Sequence, residues 1–203
     1  HRDLHSFPTR RSSDLVATLW TEGPRSFSAG PRSQNTDVFD PAVQARLREK
    51  TRRLTVRHRD NPYCLGYVLI DLPVWSVVPR RGPSYVDFVR GLAGDAPGRN
   101  AYLDFLRERY REAGALPAAY GGDGLPLAAL STADLTGVDA RRPVVAADDE
   151  AFLNRMAEVY YTVVIGELRL QDPHHLVFGD RLMALPEWTP DSILVTADRK
   201  SVA

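Results

Sequence analysis

The chain reads as an α/β protein, and three observations carry that reading. Short apolar runs rich in β-branched residues alternate with longer segments of helical periodicity. The runs Cys64–Ile70 and Leu176–Phe178 are apolar without a polar alternate, as expected of parallel strands covered on both faces. Asp40-Pro41, Asn61-Pro62 and Asp172-Pro173 punctuate the pattern where elements should start or stop.

In order along the chain, Val16–Trp20 is an apolar run suited to a buried strand, followed by a Gly/Pro/Ser-rich loop through Asn35. Asp40-Pro41 supplies an N-cap and a proline at the first helical position. Val43, Leu47 and Leu54 continue at helical spacing with Arg and Glu between them. Asp60-Asn61-Pro62 breaks that helix ahead of the Cys64–Ile70 strand. Helical patterns follow at Tyr85, Phe88, Val89 and Leu92, and again at Tyr102, Phe105, Leu106 and Tyr110. Residues 115–145 form a Gly/Pro/Ala-rich excursion with weak periodicity and one short helix near Leu127–Leu130. Segments of this length inside a domain usually lie near a site. Asp148-Asp149-Glu150 opens the strongest helix, where acids in a first turn suit the helix dipole. It runs through Phe152, Met156, Val159, Tyr160, Val163 and Glu167 until Asp172-Pro173 stops it. A (β/α)8 barrel and a doubly wound sheet both fit this order.

Composition narrows the function. The 203 residues contain 43% hydrophobic and 26% charged side chains, enough apolar material for one domain with a sizeable core. No stretch approaches the ~20 consecutive apolar residues of a bilayer span, which excludes an integral helical membrane protein. The formal net charge is zero, which argues against nucleic acid or an anionic membrane as the main partner. Cys64 is the single cysteine, so the chain has neither an internal disulfide nor a cysteine-based metal cluster, and Cys64 reads as a small buried apolar residue. Gly121-Gly122-Asp123-Gly124 follows no strand and opens no clear helix, so it reads as a loop and not a phosphate cradle.

Both ends have a different texture. Lys occurs only at Lys50 and Lys200 against 24 Arg, the mark of a GC-rich coding sequence. Pro8-Thr9-Arg10-Arg11-Ser12-Ser13-Asp14-Leu15 resembles the translation of a sequencing adaptor, and Asp198-Arg199-Lys200-Ser201-Val202 resembles the same adaptor read on the other strand. Residues 1–15 and 198–203 are therefore expected to be non-native, leaving 16–197 as an internal piece of a longer protein.

Strand ends carry the candidate chemistry. Alternation puts Tyr67, Leu69 and Asp71 on one face of their strand and Val68 and Ile70 on the other. Asp71, followed by Pro73 and Trp75, is an acid beside an aromatic platform of the kind that stacks on sugars, or else a loop cap that pairs with an arginine. Asp180-Arg181 ends the second strand, where one side chain can meet sugar hydroxyls and the other orient it, or the two form a structural ion pair. His174 and His175 are adjacent, so they point to opposite faces of a strand, and no third ligand makes them a metal site.

Three motifs in order now resemble a known family. Asp37-Val38-Phe39-Asp40-Pro41, Leu65-Gly66-Tyr67 leading into the Asp71–Trp75 turn, and Asp172-Pro173-His174-His175-Leu176-Val177-Phe178-Gly179-Asp180-Arg181 are similar to clan A glycoside hydrolases, especially agarase-like and β-galactosidase-like (β/α)8 enzymes. The resemblance implies a partial (β/α)8 barrel spanning roughly strands three to five, with Cys64–Ile70 as the fourth strand and Leu176–Phe178 as the fifth. It implies a carbohydrate substrate and no cofactor. Asp71 matches an Asn of the family and is the sole carboxylate at that turn, so either it substitutes as the acid or this branch is altered or catalytically silent; Trp75, Asp180, Arg181 and His175 are the expected substrate-binding residues, and His175 matches the family's His. Two departures stand out. Leu72 occupies the position of the family's acid/base Glu, and the nucleophile's seventh strand would lie beyond Ala197. The chain alone is expected to be inactive, with two exposed strand edges. A rival reading is a non-catalytic carbohydrate-binding barrel that kept the cleft and lost the acid, and a third is an unrelated, flat doubly wound domain.

Overall fold

A computed structural model describes residues 16–19, 21–26, 34–71, 73–78, 83–112, 114–120, 135, 138–182 and 189–201. The adaptor-like residues 1–15, Leu72, the Gly121–Gly124 run and the helix expected near Leu127–Leu130 lie outside the described residues.

Three parallel strands form the sheet: β1 (Val16–Thr18), β2 (Gly66–Asp71) and β3 (Leu176–Arg181), in the order β1-β2-β3. Val16 pairs with Gly66 and Gly66 in turn with Leu176, so the strands start level and their C-terminal tips lie at one end. Parallel neighbours need crossover connections. The first contains helix α1 (Pro41–Val56), and the second contains α2 (Tyr85–Arg90), α3 (Pro97–Arg109), α4 (Ala115–Tyr120) and α5 (Pro143–Gln171). Helix α6 (Asp191–Ser201) follows β3.

Local chemistry explains most of these boundaries. Asp40 caps α1 by accepting from the Ala42 N–H at 2.7 Å, and Pro41 begins the helix with no donor to satisfy. Ser84 and Asp87 form a reciprocal capping box on α2. The Asp37 carboxylate accepts from the Phe39 N–H and from the Gly98 N–H, tying the entrance of α1 to the first turn of α3.

Helix α5 starts earlier than expected. Pro143 opens it, which moves Asp148 and Asp149 from a first turn into the helix body, where both are fully buried. There they serve as counter-charges. Asp149 pairs with the buried Arg90 of α2, which also reaches Asp87 at 3.4 Å. Asp148 pairs with Arg109 and accepts hydroxyl bonds from Tyr110 and Tyr120 at 2.5 and 3.0 Å. Burial, partly offset by Arg90, pushes the Asp149 carboxyl up to about 6. This network fixes α2, α3 and α4 on the N-terminal half of α5.

The apolar core joins Val43 and Leu47 of α1, Tyr67, Leu69 and Ile70 of β2, and Phe152, Met156, Tyr160 and Val164 of α5. Cys64 is buried in it, as expected. The expected second strand is longer than its apolar run, ending at Arg181 instead of Phe178.

Gly66 is where backbone meets backbone. A Cβ there would stand 2.1 Å from the Leu176 carbonyl oxygen, inside a ladder whose next bond runs from the Leu176 N–H to the Leu65 carbonyl. Gly66→Ala should therefore cost about 3 kcal/mol, because no side-chain rotation relieves a clash with a main-chain oxygen. Gly94→Ala, where nothing lies within 4 Å, is the control and should stay within ~0.5 kcal/mol. Urea midpoints of the two variants check this.

Candidate functional site at the strand tips

The C-terminal tips of β2 and β3 bring Asp71 and Arg181 together as Cα partners, with Arg181 Nη1 3.6 Å from Asp71 Oδ1. This is an ion pair between neighbouring strands, not within the Asp180-Arg181 dipeptide. Both side chains keep solvent contact.

Two register shifts produce this arrangement. Tyr67 pairs with Val177 but Val68 pairs with Gly179, so Phe178 is an extra residue in β3. Gly179 turns through φ 69°, a left-handed conformation that favours glycine. The slip of one residue flips every later side chain to the other face. Asp180 leaves the face of the exposed Leu176 and Phe178 and joins that of the buried Val177, toward α5.

There the Asp180 carboxylate is fully engaged. Oδ1 accepts from the Ile70 backbone N–H at 3.0 Å, replacing a carbonyl in the interrupted ladder. Oδ2 accepts from Trp75 Nε1 at 3.3 Å and from the Tyr161 hydroxyl at 2.8 Å. Burial pushes this carboxyl up to about 6, against the pull of its three donors. The expected role of Asp180 in meeting sugar hydroxyls is therefore replaced by a clamp joining β2, the loop after it and α5.

Trp75 is also placed differently from an open sugar platform. Its side chain is 0% exposed, with ring centroids of Tyr85, Tyr160 and Tyr161 at 5.6, 5.6 and 5.8 Å. An indole walled by three aromatic rings gains packing energy and offers no face for stacking. Tyr160 in turn shares a 2.5 Å hydroxyl contact with Thr21, just past β1. The loops after β1 and β2 are stitched as well: Ser26 bonds the Asp71 carbonyl, Ser26 bridges Pro73, and the Val74 N–H reaches the Arg25 carbonyl at 2.8 Å.

His175 lies at the other end of the sheet. It precedes the first residue of β3, and its Nδ1 is 2.7 Å from Asp172 Oδ2. Asp172 also accepts the Tyr67 hydroxyl at 2.6 Å and the backbone N–H groups of His174 and His175. Burial raises the Asp172 carboxyl, but these four donors outweigh it and hold the group below its ordinary value. The cluster pins the turn from α5 into β3. It sits a strand's length from Asp71, so the two belong to different sites.

The sequence left Tyr161, Tyr160 and Thr21 out of the site. No local signal marks them, since their partners are 19 to 139 residues away. Among the described residues, no group of three or more His, Cys, Asp and Glu side chains gathers to hold a metal, and no helix is long and apolar enough to cross a membrane.

This architecture has solved counterparts. No family model matches the chain, and no curated protein sequence matches it. The fold is similar to that of an exo-β-agarase, with a TM-score of 0.72 at 22% identity over 92% of this chain and 25% of that one. It is similar to the agarase AgWH50C, with 0.72 at 21% over 92% and 27%, and to PfGH50B, with 0.69 at 17% over 92% and 27%. The chain thus shares its α/β fold with part of these structures. It spans about a quarter of the length of the agarases it matches.

The clamp makes a pH prediction. An unfolded Asp titrates near 3.9, so between pH ~4 and ~6 the folded chain holds a proton at Asp180 that the unfolded chain has released. Stability falls as pH rises through that window, by on the order of 2–3 kcal/mol from this group, and levels off above it. Asp149 contributes the same sign in both proteins, so the difference between Asp180→Asn and the parent isolates Asp180. That difference should shift in favour of Asn by about 2 kcal/mol between pH 4 and 6.5 in urea titrations. A difference constant with pH would remove the buried acid.

Proposed function

We propose that the chain is part of a (β/α)8 glycoside hydrolase that cleaves O-glycosidic bonds in a poly- or oligosaccharide, with an agarose-type galactan as the first substrate to test. One observation carries this reading. The level, sequential pairing β1-β2-β3 sets an acid and an arginine at the end of the sheet where barrel enzymes keep their chemistry, in a fold similar to that of agarases. Consecutive parallel strands side by side, joined through helices α1 and α5 that pack on each other, suit an arc of a barrel. They suit it as its third to fifth staves.

In this reading Asp71 is the acid that assists the leaving oxygen, beside an oxocarbenium-like transition state. Arg181 holds a sugar hydroxyl and orients Asp71. Asp180 and Trp75 act through the backbone: by fixing Ile70 and the loop after it, they set where Asp71 points. Residues 1–15 and 198–203 are proposed to be adaptor-derived, and the partner nucleophile comes from the parent protein outside this chain. Carbohydrate is the partner, with neither a cofactor nor nucleic acid.

Leu72 at the family's Glu position favours a second reading, a carbohydrate-binding barrel without catalysis. The uninterrupted parent protein separates the two. Reducing ends released from agarose, or phenol from an aryl β-galactoside, support the enzyme; oligosaccharide binding with no product supports the binder. In an active parent, Asp71→Asn should lower kcat/KM by about 10²–10⁴-fold. Activity near that of the unsubstituted parent would take Asp71 out of the mechanism.

A further inference from the structure

The charge of this chain is unevenly distributed. Residues 46–59 contain seven Arg and Lys and one acid, Glu49, although the whole chain is neutral. The rest is therefore net acidic. Arg46, Lys50, Arg53 and Arg57 follow one another by four, three and four residues, which aligns them on one face of α1 over about 16 Å. Arg57 keeps αR backbone angles past the helix end, so the row continues without a turn.

This row is costly by itself. Arg46/Lys50, Arg48/Arg52 and Arg53/Arg57 are like-charge i,i+4 pairs, each unfavourable by a few tenths of a kcal/mol in an isolated helix. Glu22 holds Arg46 at 3.3 Å and Glu49 holds Arg52. Among the described residues, Arg48, Lys50, Arg53 and Arg57 have no ion-pair partner. Lys50 and Arg53 line a shallow groove of about 440 Å³ with Glu22, Ala45, Arg46 and Glu49. Helix-dipole attraction explains a cation in the last turn, such as Arg53, but not the row that leads to it.

We propose that the outer face of α1 binds an anionic polysaccharide, through sulfate or carboxylate groups spaced along the polymer. The assignment rests on the polysaccharide-acting reading above, and adds to it a second contact away from the strand tips. Nucleic acid fits less well. Helix α1 has no aromatic residue on which bases could stack, whereas sulfate and carboxylate groups need only the row of cations.

The test uses the 203-residue chain on immobilised sulfated galactan, neutral agarose and a single-stranded oligonucleotide. The chain should bind the sulfated polymer, with affinity falling steeply with salt, and hold neutral agarose more weakly. Lys50→Glu/Arg53→Glu/Arg57→Glu should lower that affinity by roughly tenfold or more and flatten its salt dependence. The matched reversal Arg107→Glu/Arg111→Glu/Arg155→Glu should change it less than about threefold, with circular dichroism confirming that both variants fold. Equal loss in the two variants, no preference for the sulfated polymer, or tighter binding to the oligonucleotide would each overturn the assignment. Hydrolysis of neutral agarose by the parent protein is scored separately, so failure here leaves the strand-tip reading standing, and the reverse holds as well.

Discussion

Pairing between β2 and β3 governs the orientation of every side chain at the candidate site. The strands begin in register at Gly66 and Leu176, where main-chain atoms approach too closely for any Cβ. They then fall out of register at Phe178 and return to it at Asp71–Arg181. A parallel ladder interrupted in this way leaves backbone donors without carbonyls, and a buried unpaired N–H costs about 1–3 kcal/mol. Asp180 removes that cost at Ile70 by lending a carboxylate oxygen. The same side chain collects Trp75 and Tyr161, so the irregularity that re-aims the tips is also what anchors them.

Anchoring continues through aromatic packing. Trp75 lies between α2, through Tyr85, and α5, through Tyr160 and Tyr161. Tyr160 reaches Thr21 in the segment that follows β1. The tips of all three strands are thereby joined to one helix, and that helix is held at its other end by Asp172 and His175. Rigid support of this kind is what an ion pair such as Asp71–Arg181 needs if it is to present a fixed geometry to a ligand. The buried ion pairs of Arg90 and Asp149 work at the upper end of the same helix. Pairs like these contribute little net stability but strongly disfavour any arrangement that separates them.

The sequence made the strands legible because continuous apolar runs have few other uses, and Asp40-Pro41 made the start of α1 legible because capping is local. The fold class followed from the same signals. What escaped was non-local. Strict alternation cannot place the side chains at the tips, because the ladder between β2 and β3 shifts register twice before Asp71 meets Arg181. Gly179 was the visible clue, since an isolated glycine in a strand pattern often marks a bulge. Trp75 was read as a platform because an aromatic after a strand end is ambiguous until its neighbours are known, and three of them arrive from distant helices. His175 was grouped with Asp180 by nearness in sequence, yet a six-residue strand separates its two ends by about 20 Å. The acids at 148 and 149 resemble a helix start in sequence, but Pro143 already supplies one.

A division of labour follows from the geometry. Asp71 and Arg181 meet solvent, while Asp180 and Trp75, their neighbours in sequence, are turned inward and spend their polar atoms on backbone and hydroxyl groups. A carboxylate already holding three donors, as Asp180 does, is poorly suited to exchanging partners with an incoming ligand, because each bond given up leaves a buried donor unsatisfied. Of the two strand-end carboxylates, Asp71 of β2 therefore keeps solvent contact beside Arg181, and Asp180 of β3 is turned inward, where it holds Ile70, Trp75 and Tyr161 in place. The basic face of α1 stands outside this arrangement, on a helix whose inner residues Val43, Leu47, Thr51 and Thr55 are buried against the core. Arg46 of that face ties the helix to Glu22 after β1, while Lys50, Arg53 and Arg57 lie on the side away from the buried residues.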